Sequence, residues 1–196
     1  MPTTYDSRRY ALVNRWDPRH MRTVQRVVAP QPGWQVLDVG CGRGHLTMRL
    51  QELGCDATGV DANPQAAAVA VTSGIETMRA ERLGFPDGTF DLVVSVHAIE
   101  HIPPLEQTLA EMARVLKPGG RLLLIYPAEP IRGIFAVPTA VILHGNPFKA
   151  RSIHVHKLTP RKVRGLTDAL GLRHLHSEFN VLSSPQFVTL LEKPAS

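Results

Sequence analysis

Cysteine is scarce in this chain. Only Cys41 and Cys55 occur in 196 residues, which excludes a disulfide framework and points to a reducing, cytoplasmic setting. No run of 18 or more apolar residues is present, so no membrane-spanning helix is expected. Met1 to Tyr10 is polar and lacks the apolar core of a signal peptide. Neither an internal repeat nor a low-complexity tract is visible. Acidic residues are missing from Pro130 to Thr167, where seven cations stand: Arg132, Lys149, Arg151, Lys157, Arg161, Lys162 and Arg164. The net charge of +5 is thus unevenly spread. That stretch is either an ordinary solvated face or a surface turned towards an anion.

The length suits one domain with a sizeable core, taken as residues 1–196. Within it, residues 1–30 form an N-terminal cap region and residues 127–158 an insertion. Strand and helix patterns alternate. Asp17-Pro18 marks a helix start, and that helix stops before Pro30. Val36–Val39 and Ala57–Val60 read as buried strands. A helix spans Gly44–Leu53 and is closed by Gly54. Asn63-Pro64 caps a helix expected to run through Ser73, and a weak strand follows at Ile75–Met78. Phe90–Val96 is a strand apolar on both faces. Pro103–Leu116 has helical period. Lys117–Gly120 reads as a turn and Arg121–Tyr126 as a fifth strand. Thr159-Pro160 caps a helix ending at Gly171. Two strands, Leu172–Glu178 and Phe187–Leu191, close the chain through a short link that makes them a hairpin. Strands joined by helices imply an α/β fold, a mostly parallel sheet covered on both faces.

The segment Val36-Leu37-Asp38-Val39-Gly40-Cys41-Gly42-Arg43-Gly44-His45 carries a strand into a glycine turn and a helix. Its glycines allow close backbone approach, and the helix start offers N–H groups. The G-x-G-x-x-G spacing of dinucleotide sites would want glycine where His45 stands. A carboxylate at Asp38 would repel a pyrophosphate and suit an ammonium. Asp61 ends the second strand about 20 residues later, where a carboxylate can accept from both hydroxyls of a ribose. A simple strand-to-helix turn and a helix-capping Asp are the plainer alternatives.

These motifs, with Phe85-Pro86-Asp87-Gly88-Thr89-Phe90-Asp91 and Leu116-Lys117-Pro118-Gly119-Gly120-Arg121 in the same order, resemble class I methyltransferases dependent on S-adenosylmethionine (SAM). The resemblance is to the type-11 group, which includes ubiquinone-biosynthesis O-methyltransferases. It implies a Rossmann-like seven-stranded sheet with its last strand antiparallel. It implies SAM held by Asp38, Gly40, Cys41 and Gly42 at the methionine end and by Asp61 at the ribose. Ala62 and Val96 join the cofactor residues, with Ala80 and Glu81 at the adenine. Arg79 departs from the family pattern, which often has Asp there.

On the acceptor side, a hydroxyl must lose a proton, and histidine is the commonest base near neutral pH. Ser95-Val96-His97 ends the fourth strand, with Glu100 and His101 following. On a helical turn His97 and His101 would share a face; the plainer reading is a packed, hydrogen-bonded histidine. Ubiquinone-pathway enzymes carry Glu-x-x-Glu-His in this region, and some relatives use a metal. Here His97 replaces the first Glu. A divalent ion such as Mg2+ is one option on His97, Glu100 and His101, with His154 or His156 assisting, although transfer from SAM needs none. Tyr5, Tyr10, Asn14 and Trp16 could close over SAM. His144 in the insertion is a further candidate base. The Asp/Asn-Pro-Pro-aromatic pattern of base-amino methylation is missing, as is a cysteine nucleophile, which weighs against DNA bases without excluding RNA; the short chain counts against a nucleic-acid partner. The reading is O-methylation of a small acceptor such as a sugar, polyketide or phenol, open to an anionic one. C- or N-methylation, RNA modification and non-catalytic SAM binding are the rivals.

Overall fold

The computed structural model describes residues 16–128, 155–182 and 184–195. Helix α1 (Arg19–Val27) precedes strand β1 (Gln35–Val39), α2 (His45–Glu52) and β2 (Asp56–Asp61). Then come α3 (Pro64–Ala68), β3 (Ile75–Thr77), β4 (Phe90–Val96) and a 3-10 turn at Ile99–His101. α4 (Leu105–Val115), β5 (Leu116–Pro127), α5 (Pro160–Asp168), β6 (Arg173–Val181) and β7 (Pro185–Glu192) follow.

The seven strands form one sheet in the order β3-β2-β1-β4-β5-β7-β6. β1, β2, β3, β4 and β5 pair in parallel, and β7 runs antiparallel to both β5 and β6. The central strands are apolar on both faces because both faces are covered. Leu37, Val39, Val93, Leu122 and Leu124 belong to a core shared with Leu109 and Met112 of α4 and Val163 of α5. The alternate residues Val36, Leu92, Val94, Leu123 and Ile125 face the other way, onto Met21 and Val24 of α1 and Leu46 and Leu50 of α2. Side chains of one strand alternate between faces, so a single run of apolar residues fills two cores. β1 lies between β2 and β4, where the strand order reverses. The crevice outside the carboxyl ends at such a reversal is where open α/β sheets bind ligands.

Several boundaries differ from expectation. α1 begins after Pro18, and Asp17 accepts from the Arg19 amide at 2.9 Å instead of occupying the cap position. The Asn63 side chain caps α3 by accepting from Gln65 N at 2.9 Å, but the helix stops at Ala68 rather than Ser73. Val69, Val71 and Thr72 are β-branched and weak helix formers. The chain there is drawn towards α2 instead: Val71 N donates to Arg43 O, and the Thr72 hydroxyl donates to Gln51 at 2.6 Å. Lys117–Gly120 lies within irregular β5, pairing outward: Gly119 N donates to Lys193 O and Lys193 N to Gly120 O. The link between β6 and β7 is shorter than the expected Phe179–Gln186, and both strands extend into it.

Candidate functional site

β1 delivers the chain into the loop Gly40–Gly44 at the carboxyl end of the sheet. Gly40, Gly42 and Gly44 have φ of 76°, 54° and 79°, a region that side chains with a Cβ rarely adopt. At Gly40 the requirement is doubled, because an added Cβ would lie 2.2 Å from the Cβ of Ala98, two residues past the end of β4. The loop amides are turned inward. Gly40 N and Cys41 N donate to Val60 O at 2.8 and 3.1 Å, and Gly44 N donates to Cys41 O. Gly42 N donates to the Asp61 carboxylate at 2.8 Å. The amides expected to be open to a ligand are therefore already used at these four positions.

What the loop presents is acceptor chemistry. Asp38 is 2 % exposed and accepts from the Thr47 hydroxyl at 2.8 Å. Burial, helped by the neighbouring charge of Asp61 and opposed by the Thr47 hydroxyl, pushes its carboxyl up to about 7. Asp61 accepts one backbone bond on each oxygen, from Gly42 N and Asn63 N. An ionised carboxylate is acceptor-only on both oxygens, so Asp61 suits hydroxyl donors. Two carboxylates beside spent amides suit a ligand that is cationic and rich in hydroxyls. They do not suit a pyrophosphate, which needs donors. SAM, with its sulfonium, ammonium and ribose, fits this set of acceptors.

The crevice brings together Asp38, Gly40, Cys41, Gly42, Asp61, Val96 and His97. It adds residues that the sequence did not mark as site candidates: Asp17, His20, Arg43, His45, Leu46, Asn63 and Ala66. Trp16 also lines it, with its ring stacked on His45 at 5.8 Å between centroids. Ala62, Ala80 and Glu81 do not line it. Ala80 is 7 % exposed and packs in the core with Leu83, while Glu81 is ion-paired to Arg79 at 2.5 Å. Tyr5, Tyr10, Asn14, His144 and His154 lie outside the described residues.

His97 stands where β4 ends, with φ of 53° and its amide donating to Ile125 O at 2.8 Å. Its ring is gripped from three elements. Nε2 lies 2.9 Å from Gln186 Oε1 of β7, and Nδ1 lies 3.5 Å from Glu100 of the 3-10 turn. The ring of His20 from α1 meets it edge-on at 5.3 Å. Glu100 is 1 % exposed, with His101 on its other side at 3.8 Å. Burial raises the Glu100 carboxyl, but His97 and His101 outweigh it and hold the group down at about 2. Burial first, then His97, lowers His20 to about 4, so that ring is neutral near pH 7. His101 does not line the crevice; Glu100 separates it from His97. Among the described residues, no group of three or more His, Cys, Asp or Glu is placed to hold a metal ion. His156 Nε2 is taken up by the carbonyls of Ile102 and Pro103, at 2.8 and 3.0 Å.

Comparison with known proteins agrees with this geometry. Residues 37–124 match a methyltransferase domain family. An uncharacterized methyltransferase of Synechocystis sp. is 33% identical over 147 residues, 68% of this chain and 69% of that one. A ubiquinone biosynthesis O-methyltransferase of Xanthomonas oryzae is 37% identical over 101 residues, 47% of this chain and 42% of that one. The chain spans less than half the length of several curated relatives that it matches. Among solved structures, the [4+2]-cyclase SpnF superposes with a TM-score of 0.72 at 17% identity, covering 91% of this chain and 81% of that one. At that identity the likeness is one of fold alone. This chain belongs to the class I SAM-dependent methyltransferases, in the type-11 group. No helix among the described residues is long and apolar enough to cross a membrane.

Proposed function

We propose that this chain transfers the methyl group of SAM to a hydroxyl of a small acceptor such as a sugar, polyketide or phenol. The observation that carries the reading is the donor-spent, carboxylate-lined crevice with His97 at its edge. SAM supplies an already activated methyl group, so the protein's main tasks are proximity and in-line alignment. Asp61 accepts from the ribose hydroxyls, and Asp38 faces the ammonium end. The acceptor oxygen supplies the electron pair for the new bond to the methyl carbon, while the methyl–sulfur bond breaks and its pair stays on sulfur, which leaves as a neutral thioether. His97 takes the hydroxyl proton on Nε2, exchanging its contact with Gln186 for one with the acceptor. The Glu100 carboxylate beside Nδ1 stabilises the resulting cation. The name of the Xanthomonas relative, a ubiquinone biosynthesis O-methyltransferase, favours a phenolic hydroxyl within that class.

A second reading is methylation of a ring carbon. It is favoured by the grip on His97, whose two ring nitrogens are already directed at Gln186 and Glu100. The test is a screen of hydroxylated acceptors with methyl-labelled SAM, with and without magnesium, followed by mapping of the methylated atom. O-methyl products support the proposal, and carbon-bonded label supports the second reading. SAM binding without turnover on any acceptor would favour a binding protein, a warning that the shared cyclase fold also gives.

A further inference from the structure

We propose that Gln186 is a positioning residue that sets the tautomer of His97. Its side-chain nitrogen donates to Nε2 of both His97 and His20 and leaves the His97 proton on Nδ1, facing Glu100. The starting observation is a mismatch. Gln186 is fully buried, its Oε1 lies 2.9 Å from His97 Nε2 and 3.2 Å from His20 Nε2, and its Nε2 has no partner. An oxygen between two imidazole nitrogens can accept only if both rings carry a proton on Nε2. His97 Nδ1 would then either turn a lone pair on the Glu100 carboxylate at 3.5 Å or make the ring a cation beside a second histidine. Two N–H groups of the amide would stay buried and unpaired.

Turning the amide about its last bond removes these conflicts. The two ends have nearly the same shape, so the turned group fits the same space. Its nitrogen has two N–H groups, one for each histidine. Both rings become neutral acceptors on Nε2. The proton on His97 Nδ1 then points at Glu100, whose two oxygens are buried without a hydrogen-bond partner. One carbonyl oxygen is left unpaired instead of two N–H groups, and unpaired carbonyls are the less rare of the two in folded proteins. Among the described residues, His97 faces His20 from α1, Gln186 from β7 and Glu100 from the 3-10 turn, with His101 behind Glu100. All are consistent with a single arrangement: a lone pair on His97 Nε2, held in place until an acceptor hydroxyl displaces the amide.

The kinetic arm of the test rests on the proposed methyl transfer; the spectroscopic arm does not. Histidine side chains of the 15N-labelled protein are observed by two-bond 15N–1H correlation at pH 7, with His97 and His20 assigned through His97→Gln and His20→Gln. Both rings are expected as neutral Nδ1–H tautomers. In Gln186→Leu the His97 signals should move to a tautomer mixture, kcat should fall about tenfold, and SAM affinity should hold within about twofold. A wild-type His97 that is an imidazolium or carries its proton on Nε2 overturns the proposal. An unchanged His97 spectrum in Gln186→Leu does so too. If that variant does not fold, the wild-type spectrum alone decides. Nδ1–H tautomers in a protein with no turnover on any acceptor would leave this inference standing and remove the functional reading instead.

Discussion

SAM binding should release a proton from Asp38, and this makes the affinity depend on pH in a calculable way. In the free protein the buried Asp38 carboxyl titrates at about 7, so near neutrality it is poised between its two forms. A cationic ligand beside it stabilises the ionised form and draws the pKa down. Binding then grows stronger with pH up to about 7 and levels off above. Ionised Asp38 makes up about 3 % of the free protein at pH 5.5 and about half at pH 7, so affinity should rise about 15-fold between them. Isothermal titration of SAM across this range, in two buffers of different ionisation enthalpy, measures both the slope and the proton released. Asp38→Asn should bind more weakly and lose the slope. His97→Gln should keep it, which separates Asp38 from the neighbouring histidine. The free protein carries the matching stability effect. A carboxyl raised on folding contributes stability below its unfolded pKa of about 4 and loses it as pH rises through about 7. Between pH 6 and 8 that loss is about 1.4 kcal/mol, worth about 3–6 °C in melting temperature for a chain of this size. It should be missing from the Asn variant. A SAM affinity flat from pH 5.5 to 7, with no buffer-dependent heat, would refute the assignment of Asp38 to the cationic end of the ligand.

Asp61→Ala should weaken SAM binding by about 1–3 kcal/mol in titration calorimetry. It should also lower the melting temperature, because Gly42 N and Asn63 N lose their shared acceptor. His97→Ala should slow turnover by about 10²–10⁴ while SAM still binds, as read by single-turnover assay beside calorimetry. In acid, the neutral buried His20 should cost stability as pH falls from about 6.5 through about 4, worth about 3 kcal/mol. A His20→Leu variant should show a flatter acid-unfolding curve over that window. Arg161, Lys162 and Arg164 stand in the first turns of α5, with no acidic residue in its first turn and no ion pair to a described carboxylate. Arg161→Glu with Arg164→Glu should weaken an anionic acceptor, and added salt should mimic that loss in the wild type; a flat salt response would leave an ordinary solvated face.

The part of the crevice built by β1 and β2 was legible because its physics is local. Three glycines, two strand-ending carboxylates and the Asn63 cap lie in one strand-loop-helix-strand passage, Val36 to Asn63. Chain direction alone carries them to the same end of the sheet. Strands β1 and β4 and the Arg121–Tyr126 part of β5 were equally plain, since burial on both faces makes each a short, mostly apolar run. α3 was overextended because the Asn-Pro start is strong, while its end depends on contacts with Gln51 and Arg43 that no local pattern reveals.

The acceptor half is assembled differently. Helical spacing placed His97 and His101 on one face, but the positive φ of His97 ends the strand abruptly and the 3-10 turn puts Glu100 between the two rings. What completes the arrangement is remote. His20 and Gln186 meet across 166 positions of chain, brought together by α1 on one face of the sheet and by the antiparallel return of β7. Nothing in the neighbourhood of either residue signals the encounter, because a lone histidine on an amphipathic helix and a glutamine entering a strand are ordinary residues. The return of β7 places Gln186 opposite Pro127 at the end of β5, one residue past Tyr126 and beside the end of β4. Any shift of one residue in that register would turn Gln186 to the opposite face and leave His97 without its partner. The geometry of the proposed base is therefore set by the pairing of the last strand, which makes β7 a part of the proposed acceptor site as well as of the sheet.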